Sequence, residues 1–259
     1  MRGKKVCVSS NATHAMRLHN GHLALATSNT VTPRFAATNG ETRRLTVTNQ
    51  CSKPSGWLGR FVLARMNASH SRVTDWGLRN VSVGRGDTIL DVGCGGGRTV
   101  SKLAALATEG KVYGVDHSDE SVAASKRMNA QEIDAGRVEI LQVSVSRLPF
   151  SDGMFDLVTG VETHFWWPDL PGDMREVFRV VKPGGTVVLI AEVYGKSKAK
   201  SGQLMERYAQ RTGMKLLSAE EHRELLEEVG CSDVRIIEER GKGWICAVGR
   251  KLPVRSRGC

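Results

Sequence analysis

The residues with the clearest chemical potential lie in the run Ile89-Leu90-Asp91-Val92-Gly93-Cys94-Gly95-Gly96-Gly97-Arg98-Thr99, where four glycines fall within five positions. A turn so poor in side chains, set between a strand and a helix, lets backbone N–H groups and the helix N-terminus come close to a ligand. Asp91 stands two residues before the first glycine, and Asp116 closes a second strand-like run, Val112-Tyr113-Gly114-Val115-Asp116. An acid at that second strand end is placed to accept hydrogen bonds from both hydroxyls of a ribose.

Two cofactor classes use such a turn, dinucleotides and S-adenosylmethionine. The dinucleotide fingerprint G-x-G-x-x-G, counted from Gly93, puts its third glycine at Arg98 and is broken. A carboxylate at Asp91 would also repel a pyrophosphate, whereas it suits a ligand with an α-ammonium group. Asp116 serves either class and identifies only a ribose. An NAD-linked oxidoreductase is the disfavoured alternative.

The acceptor chemistry is expected in Val161-Glu162-Thr163-His164-Phe165-Trp166-Trp167-Pro168-Asp169, which follows the fourth strand. Ligands of open α/β sheets bind beyond the carboxyl ends of the strands, so Glu162 and His164 are expected in the cleft, with Trp166 and Trp167 as a wall for an apolar or planar substrate. His164 is a candidate general base, and His70, in the segment ahead of the core, is its rival. A Lys-rich stretch with Lys196, Lys198 and Lys200 reads as a lid over the site or as a solvated face.

These residues need elements to position them, and the hydrophobic periodicity supplies an alternation. Helices are expected at 57–66 and 71–78. Then come strand 88–92, helix 98–106, strand 112–116, helix 119–135, strands 138–143 and 155–159, helix 170–181 and strand 187–191. Met174, Val177, Phe178 and Val181 follow i, i+3, i+4, i+7, with Asp169 placed to cap and Lys182-Pro183-Gly184-Gly185 to end the helix. A helix is also expected around 203–211. Ser218-Ala219-Glu220-Glu221 reads as a capping box for a helix closed by Gly230, and 234–238 with 244–248 read as an edge hairpin. Alternating strands and helices imply an α/β fold of the Rossmann-like, doubly wound kind, with a mainly parallel sheet.

The run from Trp57 to Gly249 resembles the class I S-adenosylmethionine-dependent methyltransferases, specifically the methyltransferase type 11 group. The resemblance rests on 89–97, 112–116, Leu148-Pro149-Phe150 with Phe155-Asp156-Leu157-Val158, and 170–185, in the family's order and spacing. It implies a seven-stranded sheet whose last strand is antiparallel, and S-adenosyl-L-methionine as cofactor. Carried over by position, Asp91, Gly93, Cys94, Gly95 and Gly97 surround the methionine part, Asp116 holds the ribose, and His117 lies beside the adenosine. Ser144 and Val145 flank the adenine, and Glu162 lies near the cofactor. Ser144 stands where the common pattern has an acid.

Composition narrows the partners. The net charge of +10 sits in the tails, because residues 1–50 hold seven Lys/Arg and one acid, 250–259 hold four Lys/Arg, and 51–249 hold 26 of each sign. Charge outside the folded part is weak evidence for nucleic acid, so a small-molecule methyl acceptor is expected. RNA or protein methylation and cofactor binding without turnover are the alternatives. The six cysteines form no C-x-x-C pair and the seven histidines no ligand cluster, so a reducing, cytoplasmic setting and no metal site are expected. No apolar run reaches the roughly 18 to 20 residues of a membrane span. Residues 1–50 read as a disordered extension or an organelle transit peptide, 51–80 as helices capping the cleft, 81–250 as the cofactor-binding domain and 251–259 as a basic tail.

Overall fold

The computed structural model describes residues 70–197 and 199–253. The expected helix at 57–66 and the extension before it lie outside the described residues. The chain begins with α1 (Ser71–Leu78) and continues β1 (Thr88–Val92), α2 (Arg98–Leu106), β2 (Lys111–Asp116), α3 (Asp119–Met128), α4 (Ala130–Asp134) and β3 (Val138–Gln142). After β4 (Phe155–Val161) comes a single 3-10 turn at His164–Trp166. Then follow α5 (Leu170–Val180), β5 (Val181–Ala191), α6 (Lys200–Thr212), α7 (Ala219–Glu228), β6 (Cys231–Glu239) and β7 (Trp244–Lys251).

The seven strands form one sheet in the order β3-β2-β1-β4-β5-β7-β6. β1 pairs in parallel with β2 and β4, and β7 pairs antiparallel with both β5 and β6. The fold is therefore the doubly wound, mainly parallel α/β sheet with an antiparallel last strand. Strand order reverses between β1 and β4, which opens a crevice at their carboxyl ends, the place where sheets of this kind hold ligands.

Alternation along β1 shows how both faces are covered. Leu90 and Val92 pack with Met174 and Val177 of α5 on one face, while Ile89 packs with Val100 and Leu103 of α2 on the other. Ile89 and Leu90 are fully buried, each contributing about 1.5–3 kcal/mol relative to exposure. A strand buried on both sides leaves its end little freedom, so the glycine turn starts from a fixed point.

Three expectations change. The single helix expected over 119–135 is broken at Asn129, whose side-chain amide donates to Gly97 O at 3.1 Å and to Ser125 O at 2.9 Å. β5 begins at Val181 instead of after the Lys182-Pro183-Gly184-Gly185 run, which becomes an excursion between the pairs Phe155↔Val181 and Leu157↔Thr186. Asp169 does not cap α5 with its side chain; its own N–H donates to the Asp173 carboxylate at 3.0 Å. The capping box at Ser218 and Glu221 is present as expected. Among the described residues no helix is long and apolar enough to cross a membrane.

Candidate functional site

At the crevice lies a cavity of about 360 Å³, inside the usual range for small-molecule sites. Its walls come from the glycine turn, the ends of β2 and β3, the start of α1 and the segment after β4.

The turn is held by its neighbours. Gly93 N–H and Cys94 N–H both donate to Val115 O, at 2.8 and 2.9 Å, which ties the turn to β2. Gly93 has φ 75, and a Cβ there would stand 2.0 Å from Thr163 Oγ1, so only glycine fits. Gly95 N–H donates to Asp116 Oδ2 at 3.0 Å, and Ser118 N–H to Asp116 Oδ1 at 2.9 Å. Asp116 is thus oriented by two backbone donors while its carboxylate borders the cavity, leaving lone pairs for a diol. His117, Ser144 and Val145 border the same end, with His117 and Ser144 exposed.

Three of the expected site residues do not reach the wall. Asp91 is 1% exposed, and its Oδ1 accepts from the Thr159 hydroxyl at 2.8 Å across the β1–β4 pair. Burial pushes its carboxyl up to about 7, opposed by that hydrogen bond and reinforced by the charge of Asp116. Gly97, with φ 84, serves packing, because a Cβ would lie 2.8 Å from Ser125 Cα where α2 meets α3. His164 is the third. The 3-10 turn points its ring into the interior, where Nε2 lies 3.0 Å from His222 Nε2, and it is 1% exposed. Burial, and then His222, hold its pKa well below the ordinary value, so the base expected at His164 is corrected to a buried, neutral packing histidine. Cys94 borders the cavity, but its thiol packs in the core and is pushed well above its usual range by burial.

His70 and Glu162 do border the cavity. Burial lowers the His70 pKa to about 4, so the ring is neutral near pH 7, and 3.9 Å separates its Nε2 from Glu192 Oε2, too far for a hydrogen bond. Glu162 has φ 57, and its Oε1 accepts from Glu192 N–H. Burial, then the charge of Glu192, push the Glu162 carboxyl up to about 8. Both tryptophans line the cavity in different ways. Trp166 is half-buried, while Trp167 is buried with Nε1 donating to Thr163 Oγ1 at 3.3 Å.

Sequence reasoning missed Thr159, Thr163, Glu192 and Lys215. Lys215 donates through Nζ to Pro168 O at 2.8 Å and to Trp167 O at 3.2 Å, and its N–H donates to Phe165 O, which pins the tryptophan segment from a distant loop. Thr163 could have been found, since it sits one residue past a strand-end acid; the other three carry no local pattern.

Comparisons with known proteins bear on the family and the fold. Residues 90–189 match the methyltransferase domain family. The chain is 30% identical over 212 residues to the demethylmenaquinone methyltransferase of Bacillus pumilus, covering 71% of this chain and 87% of that protein. It is 27% identical over 160 residues to an O-methyltransferase of Penicillium expansum, covering 62% of this chain but only 57% of that protein. The crystal structure of a SAM dependent methyltransferase from Aquifex aeolicus shares the fold, with TM-score 0.62 at 22% identity, covering 74% of this chain and 98% of that one. On the family match, the extent of the Bacillus likeness and the seven-stranded sheet, this chain belongs to the class I S-adenosylmethionine-dependent methyltransferases.

Proposed function

We propose that this chain catalyses transfer of a methyl group from S-adenosylmethionine to a small organic molecule, at oxygen, nitrogen or carbon. The observation that carries the reading is the cavity itself, where the side-chain-free turn at Gly93 and Gly95 meets an Asp116 carboxylate fixed by two backbone donors. The backbone cradle at Gly93, which a Cβ would fill, fits a ligand that must approach the main chain.

In this reading Asp116 accepts from the ribose hydroxyls, and His117, Ser144 and Val145 flank the adenosine. Gly93, Cys94 and Gly95 face the methionine part. Asp91 and Gly97 act one layer back, by setting the strand end and the packing of the turn. The cofactor supplies a methyl carbon already activated by a sulfonium charge, so the protein's main task is alignment, which contributes roughly 7–11 kcal/mol. Trp166, Glu162 and His70 form the acceptor end. His70 is neutral near pH 7 and can accept a hydrogen bond from an acceptor hydroxyl or amine, although the burial that lowers its pKa to about 4 makes it a weak base.

A small acceptor is favoured because the cavity is bounded by α1 and the tryptophan segment, and because 51–249 carry no excess of positive charge. The named Bacillus relative acts on demethylmenaquinone, also a small molecule. The three described cysteines, all buried and unpaired, fit a reducing, cytoplasmic setting.

The test is incubation of the protein with methyl-labelled S-adenosylmethionine and three acceptor pools: a small-molecule extract, total RNA and total protein. Label in the low-mass fraction is expected. Label in RNA or protein alone contradicts the acceptor class, and no transfer to any pool despite cofactor binding favours a binding module without turnover.

A further inference from the structure

Glu162 is the unusual group in this cavity. It stands where the chain leaves β4 and adopts φ 57, a left-handed conformation that strains a non-glycine residue. In that conformation its carboxyl meets the end of β5, where Oε1 accepts from the N–H of Glu192. Two carboxyl groups are thereby gathered at neighbouring strand ends, and no described Lys or Arg pairs with Glu162.

The surrounding charges are few. Just past β5 stands Glu192, itself raised by burial. At the start of α1 stand its N-cap His70, 3.9 Å from Glu192, and Arg72, whose charge lowers the Glu192 carboxyl. On β1 stands Asp91, committed to Thr159. Burial and the Glu192 charge together leave Glu162 holding its proton up to about pH 8.

The position matters as much as the environment. Thr163, the next residue, is pressed so closely on the glycine turn that a Cβ on Gly93 would overlap its hydroxyl. Glu162 therefore shares a wall with the turn assigned to the methionine part. A sulfonium bound there brings a full positive charge into the cavity that Glu162 borders, and an opposite charge favours the ionised form.

We propose that Glu162 is the group by which this site distinguishes S-adenosylmethionine from S-adenosylhomocysteine, being a neutral acid in the free protein and the demethylated complex and a carboxylate when the sulfonium is present. The inference rests on the S-adenosylmethionine reading of the cavity. The proton balance closes: uptake of the cation releases the carboxyl proton to solvent, and once the methyl group has left a neutral thioether, Glu162 takes a proton back. Binding of the methyl donor is then coupled to loss of one proton, and its affinity falls by up to about tenfold per unit as pH drops below 8. Binding of the demethylated product lacks that dependence.

Calorimetric titration of the full chain with each ligand at pH 7, in two buffers of different ionisation enthalpy, counts the protons released. S-adenosylmethionine is expected to release close to one proton more than S-adenosylhomocysteine. The affinity ratio of the two is expected to rise by roughly one to two orders of magnitude between pH 6 and pH 8. Any proton lost from Asp91 is common to both ligands, whose amino-acid ends are the same, and cancels in the difference. His70, lowered to about 4, stays neutral throughout.

Glu162→Gln keeps an oxygen for Glu192 N–H and is expected to equalise proton release. Equal release by the two ligands in the unaltered protein, or a difference that persists in Glu162→Gln, overturns the proposal. If that variant does not fold, Glu192→Gln decides: removing the neighbouring charge eases ionisation of Glu162 and reduces the excess release at pH 7, and an unchanged excess counts against the proposal. Failure of the unaltered protein to bind either ligand defeats the cofactor reading, and the inference falls with it.

Discussion

Asp116 Oδ2 accepts a hydrogen bond from the backbone N–H of Gly95 at 3.0 Å, so the end of β2 and the middle of the glycine turn form one unit. The same carboxylate is fixed by Ser118 N–H at 2.9 Å. Orientation of this carboxylate and shape of the glycine turn therefore depend on each other.

Asp116→Ala is expected to weaken S-adenosylmethionine binding by at least about tenfold, because it removes charge-assisted bonds of about 1.5–3 kcal/mol each. It also leaves Gly95 N–H and Ser118 N–H without their acceptor, so the melting temperature should fall. Calorimetry and thermal denaturation check the two effects separately.

Gly97→Ala separates packing from binding. The position has φ 84, and the added carbon would meet Ser125 Cα at 2.8 Å, a backbone atom that cannot swing away. Loss of about 2–5 kcal/mol of stability is expected from strain and overpacking. Cofactor affinity of the folded fraction should change only a few-fold, since Gly97 does not border the cavity. Denaturant melts alongside calorimetry provide the comparison.

The two tryptophans should part company. Trp166→Ala is expected to raise the acceptor KM while leaving cofactor affinity nearly unchanged. Trp167→Ala removes a buried ring that donates to Thr163 and should cost about 3–5 kcal/mol of stability. Steady-state kinetics and chemical denaturation distinguish them.

The buried pair His164 and His222 makes stability sensitive to acid. His222 Nδ1 lies 2.8 Å from Ser218 O and donates to it, so its Nε2 accepts and His164 Nε2 donates across the 3.0 Å contact, with both rings neutral. Burial lowers both pKa values below the ordinary 6.5. The unfolded chain then binds more protons than the folded one as pH falls through 6.5. Stability contributed by the neutral pair is present above that value and lost below it, by up to about 1.4 kcal/mol per pH unit for each histidine. Asp91 and Glu162 act in the opposite sense, because raised folded values make stability fall as pH rises toward 7 and 8. The difference between the unaltered protein and the His164→Leu, His222→Leu double variant isolates the pair. In urea melts between pH 5 and 6.5, that difference, unaltered protein minus double variant, should rise with pH.

Much of this architecture was legible in local pattern. β1 and α2 have the expected bounds because a buried apolar strand and a four-glycine turn punctuate the chain strongly, and α1 was delimited equally well. Failures came where a distant partner decides. The helix after Ser118 stops at Asn129 because that side chain is drawn to Gly97 and Ser125, and nothing in its own period marks the break. His164 is expected in the cleft because it follows a strand end, but a three-residue turn rotates it toward a histidine 58 positions away. Asp91 read as a ligand-facing acid, yet strand register sets it opposite Thr159, a pairing that only the sheet reveals. Glu162 is expected in the cleft and borders the cavity, while its conformation and its link to Glu192 depend on β4 and β5 being neighbours.

The most direct test of the central claim is calorimetric titration of the purified protein with S-adenosylmethionine, with NAD as the control ligand. Saturable binding of S-adenosylmethionine alone, weakened at least tenfold in Asp116→Ala, is the predicted result. No binding of S-adenosylmethionine, or preference for NAD, would contradict the assignment of the glycine turn and of every residue role built upon it.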